Sequence, residues 1–409
     1  MRRRAAATTA VLAVVLGLLT ACGEEDAPDP EPTDTVEFDP EALDLGRIDP
    51  TATDLGTALD GARSRTIGAY QLASHLVLPQ ELRSDLHKYG VESGTLTDPG
   101  EFEYMLSDAA PAMAGAETGY LTRRVDENAD AWVTTALVQF PDAAAAQNAA
   151  EVAGGALTAP DAEYGVDLVA EPFAADPQTI ALVTNTPDVA NQIYVLRAFG
   201  PFLAYAWVYD INGDMDDVRT TAEEFVSEQE IALEEVDPVQ ISESPRVRDL
   251  DPSGLWGMTL AVDGRGSLAD TAYVAGGHAA ETRQINTDGI SRAFSRSGVT
   301  RVASNLTTIY ATEDDEAADS LIDAFHTQAT ELGMVDGESP VGLDDAVCVV
   351  KEDEEDPNLT FWPTYLCFYA FGAYVLESSG VSAEEAHQRL SAQAVLIHER
   401  QQDQKRSSG

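Results

Sequence analysis

The stretch that decides the fold is IYVLRAFGPFLAYAWVYD, residues 193–210, because it recurs as YLCFYAFGAYVLESSG, residues 365–380. In both copies, two runs rich in β-branched and aromatic residues flank a central Ala-Phe-Gly. Glycine adopts positive φ without steric cost, so this element predicts a tight connection or bulge between two antiparallel strands. Each hairpin is followed by a helical run.

A second pair of segments repeats at nearly the same distance. TTALVQFPDAAAAQNAAEVAGG (134–155) and LTTIYATEDDEAADSLIDAFHTQATELG (306–333) each combine an alternating strand, an acidic start and an alanine-rich helical run. The Ala-Phe-Gly elements lie 172 residues apart, and residues 140–142 align with residues 311–313 at an offset of 171. We infer an internal duplication in which each copy comprises strand, helix, strand, hairpin and helix. The predicted fold class is α+β, with two repeated halves that are each an antiparallel sheet packed with helices.

The amino end predicts an exported lipoprotein with a signal peptide over residues 1–21. Three arginines precede AVLAVVLGLL (10–19), whose helical length of about 15 Å is too short for a hydrocarbon core of about 30 Å. The run ends in LTAC (19–22), which resembles a bacterial lipobox. We therefore expect cleavage before Cys22 and acylation of its thiol, palmitate included. The alternative is a plain secretory signal whose cleavage site happens to lie beside a cysteine.

Residues 22–45 are acidic and proline-rich, and such a composition cannot bury enough apolar surface to fold. Charge repulsion and proline keep the chain extended, so we expect a disordered tether, with a partner-binding acidic tail as the alternative. The connector has two prolines and lacks periodicity. The remaining assignments are a first α+β domain (46–240), a connector (241–255), a second α+β domain (256–404) and a tail (405–409).

The charge balance narrows the range of partners. The chain has 71 acidic and 24 basic residues, for a formal net charge of −47. Phosphate backbones and anionic head groups repel such a body, so we expect no nucleic-acid partner. Basic proteins, cationic metabolites and divalent cations are compatible, while the simpler alternative is that the acid keeps an exported protein soluble.

Cys348 and Cys367 are the cysteines left once Cys22 is acylated. Each lies in a short apolar run that indicates a strand, and an exported context permits a disulfide. We predict a bridge between them, with buried free thiols as the alternative. The first copy has apolar residues at both positions, Val195 at one and a residue near Val183 at the other. We therefore expect the disulfide to stabilise one copy and not to be part of a functional site common to both.

We find no catalytic or cofactor signature in the sequence. The histidines lack zinc-site spacing, and the GxSxG, SxxK and HExxH motifs are missing. GRGSLA (264–269) satisfies GxGxxA but is not followed by a clear βαβ unit, so we expect a flexible turn. We expect no catalytic residue, no cofactor and no metal site.

DINGD (210–214) begins like a calcium loop, but its sixth position is Met215 and its twelfth is Thr221 instead of glycine and glutamate. We expect instead that Asp214 or Asp216 caps the following helix. A weak calcium site near Asp210 is the alternative.

Aromatic residues cluster in both copies of the hairpin. Core packing is the expected role, and a partly exposed groove for a lipid or sugar is the alternative. The cluster comprises Tyr194, Phe199, Phe202, Tyr205, Trp207 and Tyr209 in the first copy, and Phe361, Trp362, Tyr365, Phe368, Tyr369, Phe371 and Tyr374 in the second.

The lipobox, the tether, LDLGRIDPT (43–51), GARSRTIGAYQLASHLVLP (61–79) and the duplicated halves together resemble a family of uncharacterised two-domain cell-envelope lipoproteins of mycolic-acid-containing actinobacteria. This resemblance implies an envelope lipoprotein without known enzyme activity or agreed ligand. The second half is also similar to exported sensor domains of actinobacterial serine/threonine kinases, which carry two bridges where this half can form one.

We therefore expect a lipoprotein anchored by its lipid to the extracytoplasmic face of the cell membrane. It is expected to be no enzyme and to bind an unidentified ligand or envelope partner. The alternatives are a hydrolase whose active site assembles from dispersed residues and the solute receptor of an importer.

Overall fold

A computed structural model describes most of the chain after the predicted tether. The predicted signal peptide, Cys22, the tether before residue 38, most of the connector and GRGSLA lie outside the described residues. Within the part of the chain that the structure describes, no helix has the length and apolar character needed to cross a bilayer. The described residues are 38–53, 61–89, 94–102, 106–159, 167–184, 190–239, 251, 253–262, 272–284, 287, 289–352 and 363–408.

The helices and strands fall into two series, which we call the first half (α1–α4 and β1–β8) and the second half (α5–α8 and β9–β15). The helices are α1 (Gly61–Ala73), α2 (Pro79–Leu82), α3 (Ala143–Leu157), α4 (Met215–Leu233), α5 (Gly277–Glu281), α6 (Ile290–Arg296), α7 (Asp315–Glu331) and α8 (Ala383–Ser408). The strands are β1 (Lys88–Tyr89), β2 (Gly94–Thr95), β3 (Thr118–Val125), β4 (Ala131–Gln139), β5 (Leu168–Glu171), β6 (Ile180–Thr184), β7 (Asn191–Phe199), β8 (Phe202–Asp210), β9 (Tyr273–Gly276), β10 (Arg301–Ser304), β11 (Thr308–Ala311), β12 (Val335–Asp336), β13 (Val347–Val350), β14 (Tyr365–Ala370) and β15 (Tyr374–Gly380).

Each half contains one antiparallel sheet, and the two sheets have the same strand order. The first sheet runs β1-β3-β4-β8-β7-β6-β5, with β2 also paired to β3, and the second runs β9-β10-β11-β15-β14-β13-β12. The match of the two orders confirms the predicted α+β class and its two repeated halves. The structure adds strands that the sequence pattern did not predict, namely β1, β2, β3 and β5 in the first half and β9, β10 and β12 in the second.

The Ala-Phe-Gly elements form the turns of the two central hairpins. Gly200 and Gly372 have φ of +57° and +56°, in the left-handed region that favours glycine. The residues that flank the turns are paired in both halves, Phe199 with Phe202 and Phe371 with Tyr374. The predicted tight connection is confirmed, as a two-residue turn.

The caps of α3 and α7 correct the sequence alignment by one residue. Asp142 accepts a hydrogen bond from the backbone N–H of Ala145 at 2.8 Å, and Asp314 accepts one from Ala317 at 2.9 Å. The two N-caps are 172 residues apart, the same offset as the hairpins, so the offset of 171 for residues 140–142 was wrong. Both caps satisfy N–H groups that have no partner within the helix.

The predicted disulfide is confirmed. Cys348 on β13 lies opposite Cys367 on β14, with their Cα atoms 4.1 Å apart. The corresponding pair of the first half is Ala181 and Val195, which also lie opposite each other and are buried. The strand register therefore makes Ala181, and not Val183, the counterpart of Cys348.

The two halves belong to one compact unit, Pro40–Gly409, and share a hydrophobic core. At their junction the ring of Tyr70 stacks on that of Tyr273 at 4.6 Å. The fully buried guanidinium of Arg124 on β3 donates hydrogen bonds to three carbonyl oxygens at the end of α5 and just beyond it, those of Glu281, Thr282 and Gln284, at 2.9–3.1 Å. A cation at the carboxyl end of a helix satisfies its free carbonyls and its dipole.

Residues 40–53 precede the first repeat and lie against the second half. Ala52 forms an antiparallel bridge with Leu260. Leu260 clusters in turn with Ala392 and Leu396 of α8. The chain therefore enters the folded unit beside its last helix.

Replacement of Arg124 tests the junction. We expect Arg124→Ala to lower the free energy of unfolding by about 3–5 kcal/mol, because three buried carbonyls lose their donor and a cavity remains. Guanidinium unfolding monitored by tryptophan fluorescence measures this loss. The matched control is Arg123→Ala, the half-buried neighbour on the other face of β3, for which we expect a loss of about 1 kcal/mol. Equal losses in the two variants would contradict this account of the junction.

Candidate functional site

The second sheet carries a polar pocket on the face that packs against α7. Its volume is about 290 Å³, and β9, β10, β11, β14, β15 and α7 contribute to its walls. Side chains alternate along a strand, so Glu377 and Ser379 of β15 line the pocket while Ser378 faces α8 and donates to the carbonyl of Ala386 at 2.7 Å.

The pocket is lined by one carboxyl, that of Glu377, and by the guanidinium of Arg283. Burial raises the pKa of Glu377, although the Tyr310 hydroxyl donates a hydrogen bond to Glu377 Oε2 at 2.5 Å and acts in the opposite direction. Burial also raises the pKa of the Tyr310 and Tyr273 phenols, which therefore stay protonated as donors near neutral pH. The pocket thus holds a carboxyl group among phenol donors.

The remaining walls are aromatic on one side and polar on the other. The rings of Phe325 and Phe368 stack at 5.0 Å, and Tyr310 contacts Phe325 at the same centroid distance. On the polar side, the hydroxyls of Ser304 and Thr308 lie 3.0 Å apart in a hydrogen bond. An apolar wall with a few converging polar groups is typical of small-molecule sites.

The same position in the first half is filled by aromatic rings. At an offset of 172 residues, Tyr205 corresponds to Glu377 and Trp207 to Ser379, and the cross-strand partners agree. Here Tyr194 stacks on Trp207 at 5.1 Å. Large aromatic rings therefore fill, in the first half, the position at which the second half has a cavity.

The aromatic cluster of the first hairpin packs mainly on itself. Trp132 of β4 stacks on Tyr209 at 3.5 Å, and the Arg123 guanidinium lies 5.0 Å above the Trp207 ring. Phe202 and Tyr205 are buried, while Tyr194, Phe199, Trp207 and Tyr209 are half-buried. In the second copy, Phe368 is buried and lines the pocket, Tyr365, Tyr369, Phe371 and Tyr374 are half-buried, and Phe361 and Trp362 lie outside the described residues.

The resemblance of DINGD to a calcium loop reflects a turn and a helix cap. Asp214 accepts hydrogen bonds from the N–H groups of Asp216 and Asp217 at the start of α4, which confirms Asp214 as the cap. Asp210 is buried and accepts a hydrogen bond from Arg83 at 2.7 Å. The carboxylate of Asp210 is therefore paired with the guanidinium of Arg83.

A second, larger groove of about 630 Å³ lies at the junction of the halves. It brings Ser74, His75, His278 and Glu81 together, none of which the spacing of the sequence indicated. The hydroxyl of Ser74 donates to the carbonyl of Tyr70 at 3.4 Å, and His278 Nε2 lies 3.0 Å from the carbonyl of Leu76. These contacts direct the hydroxyl and Nε2 to backbone carbonyls rather than to each other.

Comparison with known proteins gives a family but no activity. A model for the N-terminal part of a domain of unknown function (DUF7373) matches residues 55–248, and a model for its C-terminal part matches residues 263–400. No curated protein matches the chain.

Among solved structures, the extracellular domain of PknH from Mycobacterium tuberculosis is similar at 13% identity and a TM-score of 0.28. The match covers 38% of this chain and 93% of that one. No structural conclusion follows from a score this low.

The raised pKa of Glu377 makes a prediction about stability and pH. Below the ordinary glutamate pKa of about 4.3, Glu377 is protonated in both the folded and the unfolded state, so its desolvation takes nothing from the free energy of unfolding. As the pH rises from this value through the raised folded-state pKa, the free energy of unfolding of the wild type decreases. Glu377→Gln has no ionisable group at this position, so its free energy of unfolding does not decrease for this reason. Urea midpoints measured across the pH range should therefore shift in favour of the variant as the pH increases.

The control for this measurement is Glu384→Gln, an exposed position on α8. Its urea midpoints should follow those of the wild type at every pH. A difference between Glu377→Gln and wild type that does not change with pH would show that Glu377 ionises as an exposed carboxyl does.

Proposed function

The chain belongs to the two-domain DUF7373 family, and we propose that it is a lipid-anchored extracytoplasmic protein of the actinobacterial envelope that binds a small amphipathic ligand in the pocket of its second half. The observation that carries this proposal is the half-buried carboxyl of Glu377, which lines the cavity, accepts a hydrogen bond from the Tyr310 phenol and lies beside aromatic walls. Removal of a carboxyl from water is costly unless the group is paired, so a desolvated Glu377 that lines a cavity favours a ligand that completes its pairing.

The size and chemistry of the pocket limit the ligand. A volume of about 290 Å³ accepts a molecule the size of an amino acid or a monosaccharide. Glu377 favours a ligand with a hydrogen-bond donor or a cationic group, whereas Arg283 in the same lining favours an acceptor or an anionic group. The pocket therefore favours a ligand that carries both kinds of group, and the strongly negative net charge of the chain attracts cations towards it. The rings of Phe325 and Phe368 favour an apolar or planar surface on the other side of the ligand.

Two features support export and anchoring. The leader ends at Cys22 in a lipobox-like sequence, and the disulfide between Cys348 and Cys367 is of a kind that persists in oxidising compartments outside the cytosol. Two or more acyl chains hold a protein stably on a membrane, since each buried CH₂ contributes about 0.8 kcal/mol. The acidic tether would hold the folded unit away from the head groups.

The geometry favours binding over the two alternatives. Among its described lining residues, the pocket has hydroxyls, carboxamides, the carboxyl of Glu377 and the guanidinium of Arg283, but no imidazole that would activate a nucleophile. The halves share one core across the buried Arg124 contacts, which argues against the hinge closure of an importer's solute receptor.

Filling the pocket tests the binding site. Ser379→Trp introduces the residue that the first half has at the equivalent position, and its ring should occupy the cavity. Native mass spectrometry of protein extracted gently from its own envelope should show a bound small molecule on the wild type and none on the variant. Ser379→Ala is the control and should keep the ligand. Retention of the same ligand by Ser379→Trp would place the site elsewhere.

Lipid attachment is tested separately at Cys22. Metabolic labelling with an alkyne fatty acid should label the wild type and not Cys22→Ser, because the thioether needs the thiol. The variant should also leave the detergent phase on Triton X-114 partition. A double Cys348→Ser, Cys367→Ser variant should still be labelled, and label on Cys22→Ser would overturn the anchor.

A further inference from the structure

Three metal-binding side chains meet behind the pocket, on the face of the second sheet that packs against α8. Strands β13 and β14 place Cys348 opposite Cys367, and α8 crosses above them with the half-buried His387. The two sulfurs and a ring nitrogen of His387 all lie within 4.8 Å of one another. Within the part of the chain that the structure describes, no other group of three or more His, Cys, Asp or Glu side chains is this close.

The position of His387 is held by its neighbours. Ser378 on β15 lies opposite Cys367 and donates to the carbonyl of Ala386, the residue before His387. This contact ties the first turns of α8 to the strands that carry the cysteines. The imidazole is therefore placed by the fold and not by a local loop.

Two thiolates and an imidazole form a ligand set that zinc uses in proteins, with a fourth position open to water. In a tetrahedral zinc site the donor atoms lie about 3.5–3.8 Å apart, as bond lengths of about 2.3 Å to sulfur and 2.0–2.1 Å to nitrogen require. When the disulfide opens, the two sulfurs would move apart to this spacing, and the ring nitrogen of His387 already lies within 4.8 Å of both. His387 is half-buried, so its exposed side offers an entry path.

We propose that reduction of the Cys348–Cys367 disulfide creates a Cys₂His site for a thiophilic divalent cation, Zn²⁺ above all. A dithiol reductant supplies two electrons and two protons and is itself oxidised to a disulfide, which leaves two protein thiols. Zn²⁺ then displaces the two thiol protons and binds both thiolates together with the neutral imidazole of His387. The disulfide and the metal site exclude each other, because a disulfide sulfur is no longer a thiolate.

The consequence lies in the pocket wall. Cys367 is flanked on β14 by Leu366 and Phe368, which line the pocket on the opposite face of the sheet. A metal clip would keep β13 and β14 tied together when the disulfide is open, and so would preserve this wall. The first half has Ala181 and Val195 at the corresponding positions and cannot form such a site.

Cobalt tests the proposal, because thiolate ligation gives Co²⁺ an intense charge-transfer absorption in the near ultraviolet. The full chain in a Cys22→Ser background, which removes the third thiol, is reduced with a phosphine and titrated with Co²⁺. We expect the absorption band to saturate at one Co²⁺ per chain and to disappear when Zn²⁺ is added. The unreduced chain should show no band.

His387→Ala identifies the site. We expect a loss of Co²⁺ affinity of about tenfold or more in the reduced variant. Even substitution of a residue that only hydrogen-bonds to a metal ligand costs about 10–100-fold in affinity. His326→Gln, on the surface of α7, is the control and should leave the affinity unchanged. Circular dichroism of each reduced sample reports whether the chain is folded with and without metal.

Three results would overturn the proposal. One is the absence of the band in the reduced chain. Another is equal affinity in His387→Ala and wild type, which would show that the thiolates bind metal without this site. The third is a reduced chain that unfolds and does not refold when Zn²⁺ is added.

Discussion

The register of the central hairpin is the constraint on which the rest of the structure depends. In each half a glycine with positive φ allows a two-residue turn, and that turn sets which residues of the two strands face each other. Because side chains alternate with a period of two, a slip of one residue would exchange the two faces of the strand. The turn at Gly372 thereby directs Glu377 into the pocket and aligns Cys367 with Ser378 under α8.

The two halves use one scaffold in different ways. The first buries or stacks aromatic rings where the second has Glu377, Ser379 and a cavity. The first has Ala181 and Val195 where the second has a disulfide. Arg124 of the first half joins the two through carbonyls at the end of α5, so the first half supports the part of the second half that carries the pocket. Aromatic rings fill the first half at the position of the cavity. The second half can therefore contain a polar pocket while the two halves keep a common hydrophobic core.

Much of the fold could be predicted from the sequence, because local patterns determine it. Repeated Ala-Phe-Gly elements and alternating strands indicated the duplication, and acidic residues before alanine-rich runs indicated the helix starts. The short strands β5 and β12 have too few residues to show a period. The alignment of the caps was off by one because the second copy begins a run of acidic residues with Glu313 and Asp314, and the pattern does not show which of them is the cap. Glu377 could not be distinguished among 71 acidic residues, since its burial arises from tertiary packing. His387 approaches the cysteines for the same reason, and no spacing in the sequence shows it.

The central claim is that the pocket beside Glu377 is a ligand site, and a crystal structure of the protein purified from its own envelope tests it most directly. The account predicts non-protein density within hydrogen-bond distance of the Glu377 carboxyl, in contact with Tyr310 and the ring of Phe368. A pocket collapsed onto its own side chains, or density confined to the groove between the halves, would contradict it.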